Sequence, residues 1–63
     1  MQEGKVKFFN ESKGFGFIAQ TNGSGDIFVH TTGLLDNIYE NDDVVFDLQH
    51  SQKGLIAVNV KRK

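Results

Sequence analysis

Lys13-Gly14-Phe15-Gly16-Phe17-Ile18, residues 13–18, alternates aromatic rings with glycine and ends on a β-branched residue. Side chains along a strand point to opposite faces, so Phe15 and Phe17 share one face while Gly14, Gly16 and Ile18 share the other. Glycine costs a strand backbone entropy and has nothing to pack, so two of them beside aromatics point to the close approach of another group. Taken alone, the stretch leaves two assignments open: rings inside with glycines in water, or Ile18 inside with rings in water. Asp26-Ile27-Phe28-Val29-His30 favours the second, because it too sets β-branched residues (Ile27, Val29) on one face and an aromatic pair (Phe28, His30) on the other. Phe15, Phe17, Phe28 and His30 then form a platform on two neighbouring antiparallel strands, a patch of the kind that marks a binding surface. Lys5, Lys7 and Lys13 lie close by. Rings interleaved with cations suit a single-stranded nucleic acid, whose bases stack on rings at about 1–3 kcal/mol each while phosphates meet lysines.

Working outward, the first strand is expected over about Glu3 to Asn10, with Lys5 and Lys7 outward and Val6 inward. Alternation breaks at Phe8-Phe9, which requires either a bulge or one exposed ring, and leaves Phe9 open between core and ligand. A polar turn, Asn10 to Lys13, leads into a second strand over Gly14 to Gln20. Thr21-Asn22-Gly23-Ser24-Gly25 reads as a hairpin loop, since Asn-Gly tolerates positive φ. The third strand covers Asp26 to His30. Leu34 is expected to plug one end of the fold, next to a short helical turn, and Asp36 to Asn41 to form a loop. Val44, Phe46 and Leu48 give the core face of a fourth strand; Ser51-Gln52-Lys53-Gly54 turns; Ile56, Val58 and Val60 give that of a fifth. Five short strands in 63 residues favour a barrel over a sandwich, because closure buries Val6, Ile18, Ile27, Val29 and these last six residues together and removes unpaired edges. The expected fold class is therefore all-β, a five-stranded antiparallel barrel forming one domain over residues 1–63.

A chain this short buries only about 60% of its unfolded surface, which limits stability to a few kcal/mol. It has no cysteine, so neither a disulfide framework nor a thiolate metal site is available. No apolar run approaches a membrane span and no signal-peptide pattern opens the chain, so a cytoplasmic location away from membranes is expected. The net charge of −1 is unusual for a nucleic-acid binder, but it is unevenly spread. Asp36, Glu40, Asp42, Asp43 and Asp47 crowd one segment with no basic residue between them, whereas Lys5, Lys7 and Lys13 lie in the first twenty residues. Charges more than about 8 Å apart are largely screened at physiological salt, so an acidic far side costs little. Asp42-Asp43 lacks the spacing of a calcium loop, and the segment reads as a solvated loop.

Lys13 to Ile18 resembles the first ribonucleoprotein-type motif of the bacterial cold-shock proteins, and Ile27 to His30 resembles their second. Gly4-Lys5-Val6-Lys7-Phe8-Phe9-Asn10 and the closing Gly54 to Val60 are similar to the ends of that family, so the resemblance covers essentially the whole chain. It implies a barrel of the oligonucleotide/oligosaccharide-binding (OB) type that holds single-stranded RNA or DNA and keeps it from folding on itself, a passive RNA chaperone. The residues matched to this role are Phe8, Phe9, Phe15, Phe17, Phe28 and His30 for stacking, Lys5, Lys7, Lys13 and Lys53 for phosphates, and Asn10 and Asp26 for base edges. The chain departs from the family in four places. Phe8 stands where tryptophan is usual, Lys53 where arginine is frequent, and Thr31 where another phenylalanine follows the histidine. The loop after His30 is also several residues shorter, leaving Tyr39 as its one aromatic, so weaker binding at one end of the strand is expected.

Two histidines, no cysteine and no nucleophile beside a base leave an enzyme without a catalytic constellation, and no cofactor, metal or small-molecule substrate is expected. His30 suits stacking or hydrogen bonding to a base, and His50 reads as an exposed strand residue. A small barrel that docks proline-rich peptides is the alternative; it explains the rings but not the lysines among them. The partner expected is single-stranded RNA or DNA, bound by a monomer.

Overall fold

The computed structural model describes residues 1–52 and 54–63. Five strands, β1 (Gln2–Asn10), β2 (Phe15–Gln20), β3 (Asp26–His30), β4 (Asp43–Ser51) and β5 (Gly54–Arg62), close into a barrel in the order β1-β2-β3-β5-β4. Four of the pairings are antiparallel, and the ring is completed by a short parallel pairing of Phe28 with Ile56 and Val29 with Ala57. The β2–β3 hairpin turns through Gly23 and Gly25, both at positive φ (80° and 96°), as the Asn-Gly dipeptide predicts. A single 3₁₀ turn, Thr31–Gly33, follows β3, and Leu34, half-buried, packs against the core.

The interior comprises Val6, Ile18, Ile27, Val29, Ile38, Val44, Phe46, Ala57 and Val60. Alternation in β1, β2 and β3 places the first four as expected. Three residues assigned to the core from the sequence are not in it: Leu48 is 37% exposed, and Ile56 and Val58 lie half-buried on the outside. Their place is taken by Ala57, and by Ile38 from the loop. The cause in β5 is Asn59, whose left-handed backbone (φ 53°) inserts one extra residue opposite the Val45–Asp47 step of β4. Ala57 and Val60, three residues apart, thereby both face inward, and Ile56 and Val58 are turned out. A second bulge in β1 lies at Lys7: Val6 pairs with Ile18 but Phe8 with Phe17, so two residues of β1 span one step of β2.

Backbone hydrogen bonds secure the long loop. Asn41 N–H donates to the Val6 carbonyl (2.8 Å), Val6 N–H donates to the Asp42 carbonyl (2.9 Å), and Leu35 N–H donates to the Val60 carbonyl (2.7 Å). At the chain ends Lys63 Nζ donates to Glu3 Oε1 at 2.7 Å. That hydrogen bond, reinforced by charge attraction, holds the Glu3 carboxyl below its ordinary range and the Lys63 ammonium above its own.

Candidate nucleic-acid interface

The bulge at Lys7 decides what the outside of β1–β3 presents. By adding a residue it lets Lys7 and Phe8 both point outward and returns Phe9 to the inside, where its ring packs against the core. Phe9 is half-buried: it packs against the core and also lines the grooves beside Tyr39, and it makes no ring contact with the other aromatics of the platform. The β1 backbone at Phe8 and Phe9, together with the Phe9 ring, also accounts for Gly16, the cross-strand neighbour of Phe9. A Cβ at Gly16 would meet the Phe8 carbonyl oxygen and stand 2.7 Å from Phe9 Cδ1. The close approach that the glycine permits therefore comes from within the barrel.

On the outside, Phe8, Phe17 and Phe28 are direct cross-strand partners in one row across β1, β2 and β3. Phe15 sits two residues along β2, opposite His30. The four phenyl rings form a closed cycle. Phe8 lies 6.2 Å from Phe15 (edge-on, 80°) and 5.6 Å from Phe17 (46°), and Phe28 lies 5.9 Å from both, nearly parallel to Phe15 (19°) and edge-on to Phe17 (76°). These are the offset and T-shaped arrangements that aromatic quadrupoles prefer, so the rings hold one another in place without a ligand. Phe8 is 38% exposed and the other three are half-buried, mutually shielded at their edges.

The row does not stop at Phe28. Ile56 pairs with it across the parallel seam, and Gln49 of β4 pairs with Ile56. A mostly apolar groove of about 520 Å³ opens there, lined by Phe17, Phe28, Ser51, Gln52, Leu55 and Ile56. Sequence reasoning placed Ile56 in the core and so missed this extension; the signal for it was an asparagine in mid-strand, the residue type most tolerant of the left-handed conformation after glycine.

The polar candidates are placed as follows. Lys5 and Lys13 are exposed, with side chains that have no partner among the described residues. Lys7 Nζ reaches across β2 to Asp26 Oδ2 (3.0 Å), so two candidates neutralise each other in the free protein. Asn10 Oδ1 accepts the Lys13 N–H (3.1 Å) and builds the β1–β2 turn, which leaves its amide donors for a ligand. His30 Nδ1 accepts the Thr32 N–H (3.3 Å). A neutral ring accepting there carries its proton on Nε2, presented as a donor at the platform's margin. Lys53 lies outside the described residues. Thr31 donates its backbone N–H to the Gly14 carbonyl (2.9 Å), and its side chain lines a separate groove shared with Phe9 and Tyr39. No group of three or more metal-ligating side chains occurs among the described residues, and no helix is long and apolar enough to cross a membrane.

A closed five-stranded barrel carrying a cycle of rings on the outside of three adjacent strands, with lysines on the first strand and in the turn that follows it, defines a class, the small OB-type nucleic-acid-binding domain. The model of the "Cold-shock" DNA-binding domain family matches residues 2–63, and the chain belongs to that family. It is 50% identical over 62 residues to the cold shock-like protein CspC of Buchnera aphidicola and to CspC of Escherichia coli K12, in each case covering 92% of this chain and 90% of the relative. It is 49% identical over 61 residues to the cold shock-like protein CspG of Shewanella violacea (90% and 87%). Among solved structures it is similar to drosophila Unr CSD456, with a TM-score of 0.82 and 29% identity, covering 98% of this chain and 26% of that much longer one. Membership makes the protein a nucleic-acid-binding domain for single strands.

Proposed function

We propose that this protein is a passive RNA chaperone: it holds single-stranded RNA or DNA as a monomer, by stacking bases on its aromatic platform, and so keeps the strand from pairing with itself. The observation that carries this reading is the cycle of Phe8, Phe15, Phe28 and Phe17 on the outside of three adjacent strands, with His30 at its margin. Lys5, Lys7, Lys13 and Lys53 meet phosphates; Asp26 and the Asn10 amide face base edges. A phosphate that recruits Lys7 frees the Asp26 carboxylate to accept from a base, so one exchange serves both contacts. The reaction needs neither ATP nor bond cleavage, because stacking energy is taken from the folded RNA and given to the platform.

The test is an oligothymidine titration across salt concentrations. Three or four phosphate contacts on a single strand give a log–log slope of about −2 to −3. Duplex DNA, whose bases are already stacked on each other, should bind far more weakly. A salt-independent affinity, or equal affinity for duplex and single strand at physiological salt, would refute the mechanism and favour a peptide-docking barrel.

A further inference from the structure

Beside Phe8 the surface drops into a groove of about 630 Å³ lined by Phe8, Phe9, Asn10, Glu11, Ser12, Ile38, Tyr39 and Glu40. From this groove we infer a guanine-reading subsite: Tyr39 supplies the stacking ring, and the Glu11 and Glu40 carboxylates read the base edge. The inference rests on the single-strand reading above and adds to it a base preference at one end of the bound strand.

Tyr39 is 54% exposed, yet both its backbone N–H and its carbonyl are hydrogen-bonded to Asp42. Its N–H donates to Asp42 Oδ2 (2.9 Å) while the Asp42 N–H donates to its carbonyl (3.0 Å), closing a tight turn. The same turn is hydrogen-bonded to Val6 through Asn41 and Asp42, and the preceding Ile38 is only 2% exposed. A ring fixed at its base and bare at its face is a stacking partner that loses little freedom on binding. Phe8 lines this groove and also belongs to the ring cycle, so a strand on the platform reaches Tyr39 by continuing past Phe8.

The chemistry of the groove then selects the base. Glu11 and Glu40 have no ion-pair or hydrogen-bond partner among the described residues, and neither lysine nor arginine lines the groove. Phosphate is repelled, so a base enters with its backbone outside. An ionised carboxylate only accepts, through two oxygens. Guanine alone offers two adjacent N–H donors, N1–H and the 2-amino group, to match them. Cytosine and adenine present one amino group beside an acceptor, and thymine or uracil one imino group between two carbonyls. A cationic peptide would also suit the charge, but continuity with the platform through Phe8 favours a base.

The experiment compares a thymidine nonamer with nonamers carrying one guanine at each successive position. Guanine toward one end is expected to tighten binding roughly five- to tenfold relative to the all-thymidine strand, the size of a good bidentate contact. Inosine, which lacks the 2-amino group, should recover only part of that. Tyr39→Ala, and separately Glu11→Gln with Glu40→Gln, should bring the guanine-to-thymine ratio to about one; a ratio is insensitive to the general gain in affinity from removing negative charge. If nonamers bind but no position favours guanine, or the preference survives both variants, this subsite is wrong while the platform stands. If no nonamer binds, the platform reading fails and the subsite with it.

Discussion

Phe17 touches Phe8 on one side and Phe28 on the other without joining the core cluster, and this separates its two possible losses on truncation. Phe15→Ala, Phe17→Ala and Phe28→Ala are each expected to weaken single-strand binding by about 1–3 kcal/mol. Each should cost less stability than Phe46→Ala, which removes a fully buried ring at about 3–5 kcal/mol. Fluorescence titration beside urea melts of the same four variants checks both halves; platform variants as unstable as Phe46→Ala would make those rings structural. Gly16→Ala is the converse case. Its methyl group would enter the space of the Phe8 carbonyl and the Phe9 ring, and overpacking of that kind costs about 1–3 kcal/mol, so a clearly lowered urea midpoint is expected. The glycine-aromatic alternation announced both facts in the sequence, a platform and a tight contact. It could not say that the contact is internal, because Phe9 faces inward only through a bulge two residues away.

At the scale of the strands, local chemistry was legible wherever alternation ran unbroken. β2 and β3 follow from period two alone, and the rings and Ile18, Ile27 and Val29 fall on the faces expected. β5 fails that reading because Ile56, Val58 and Val60 look like one face until Asn59 shifts the register between them. Ile38 is invisible for a different reason: it lies outside any strand, and only the hydrogen bonds of the long loop to Val6 and Val60 draw it inside. The bulge makes its own prediction. With φ at 53°, Asn59→Gly should leave stability within a few tenths of a kcal/mol, whereas Asn59→Val should lose about 1–2 kcal/mol, the cost of a left-handed backbone for a side chain that cannot relieve it. Thermal melts of the two variants decide; equal losses would show that the Asn59–Asp47 side-chain hydrogen bond, rather than the backbone, fixes the register.

For the whole molecule, a net charge of −1 conceals a division of labour. Several acidic side chains are structural: Asp42 caps the turn at Tyr39, Asp36 accepts the Arg62 N–H (3.1 Å) and Asp47 accepts from Asn59. That these carboxylates hold the turn and the strands in place was not legible from their crowding in the sequence, which read as a solvated loop. The barrel's one short parallel ladder has a consequence beyond its shape. A ring of strands parts first where its ladder is weakest, and here that is the two-pair seam between β3 and β5, parallel pairing being also slightly less stable per residue. The ring of Phe28 and the side chain of Ile56 stand on opposite banks of that seam, so a strand lying over both is a clasp. Occupying it should slow amide hydrogen exchange at Val29 and Ala57 by up to about a hundredfold at a ligand concentration a hundred times Kd, and slow the β1–β2 amides less. Uniform slowing in every strand would mean that the barrel opens all at once; slowing confined to the seam would mean that the nucleic acid, in being held, fastens the protein that holds it.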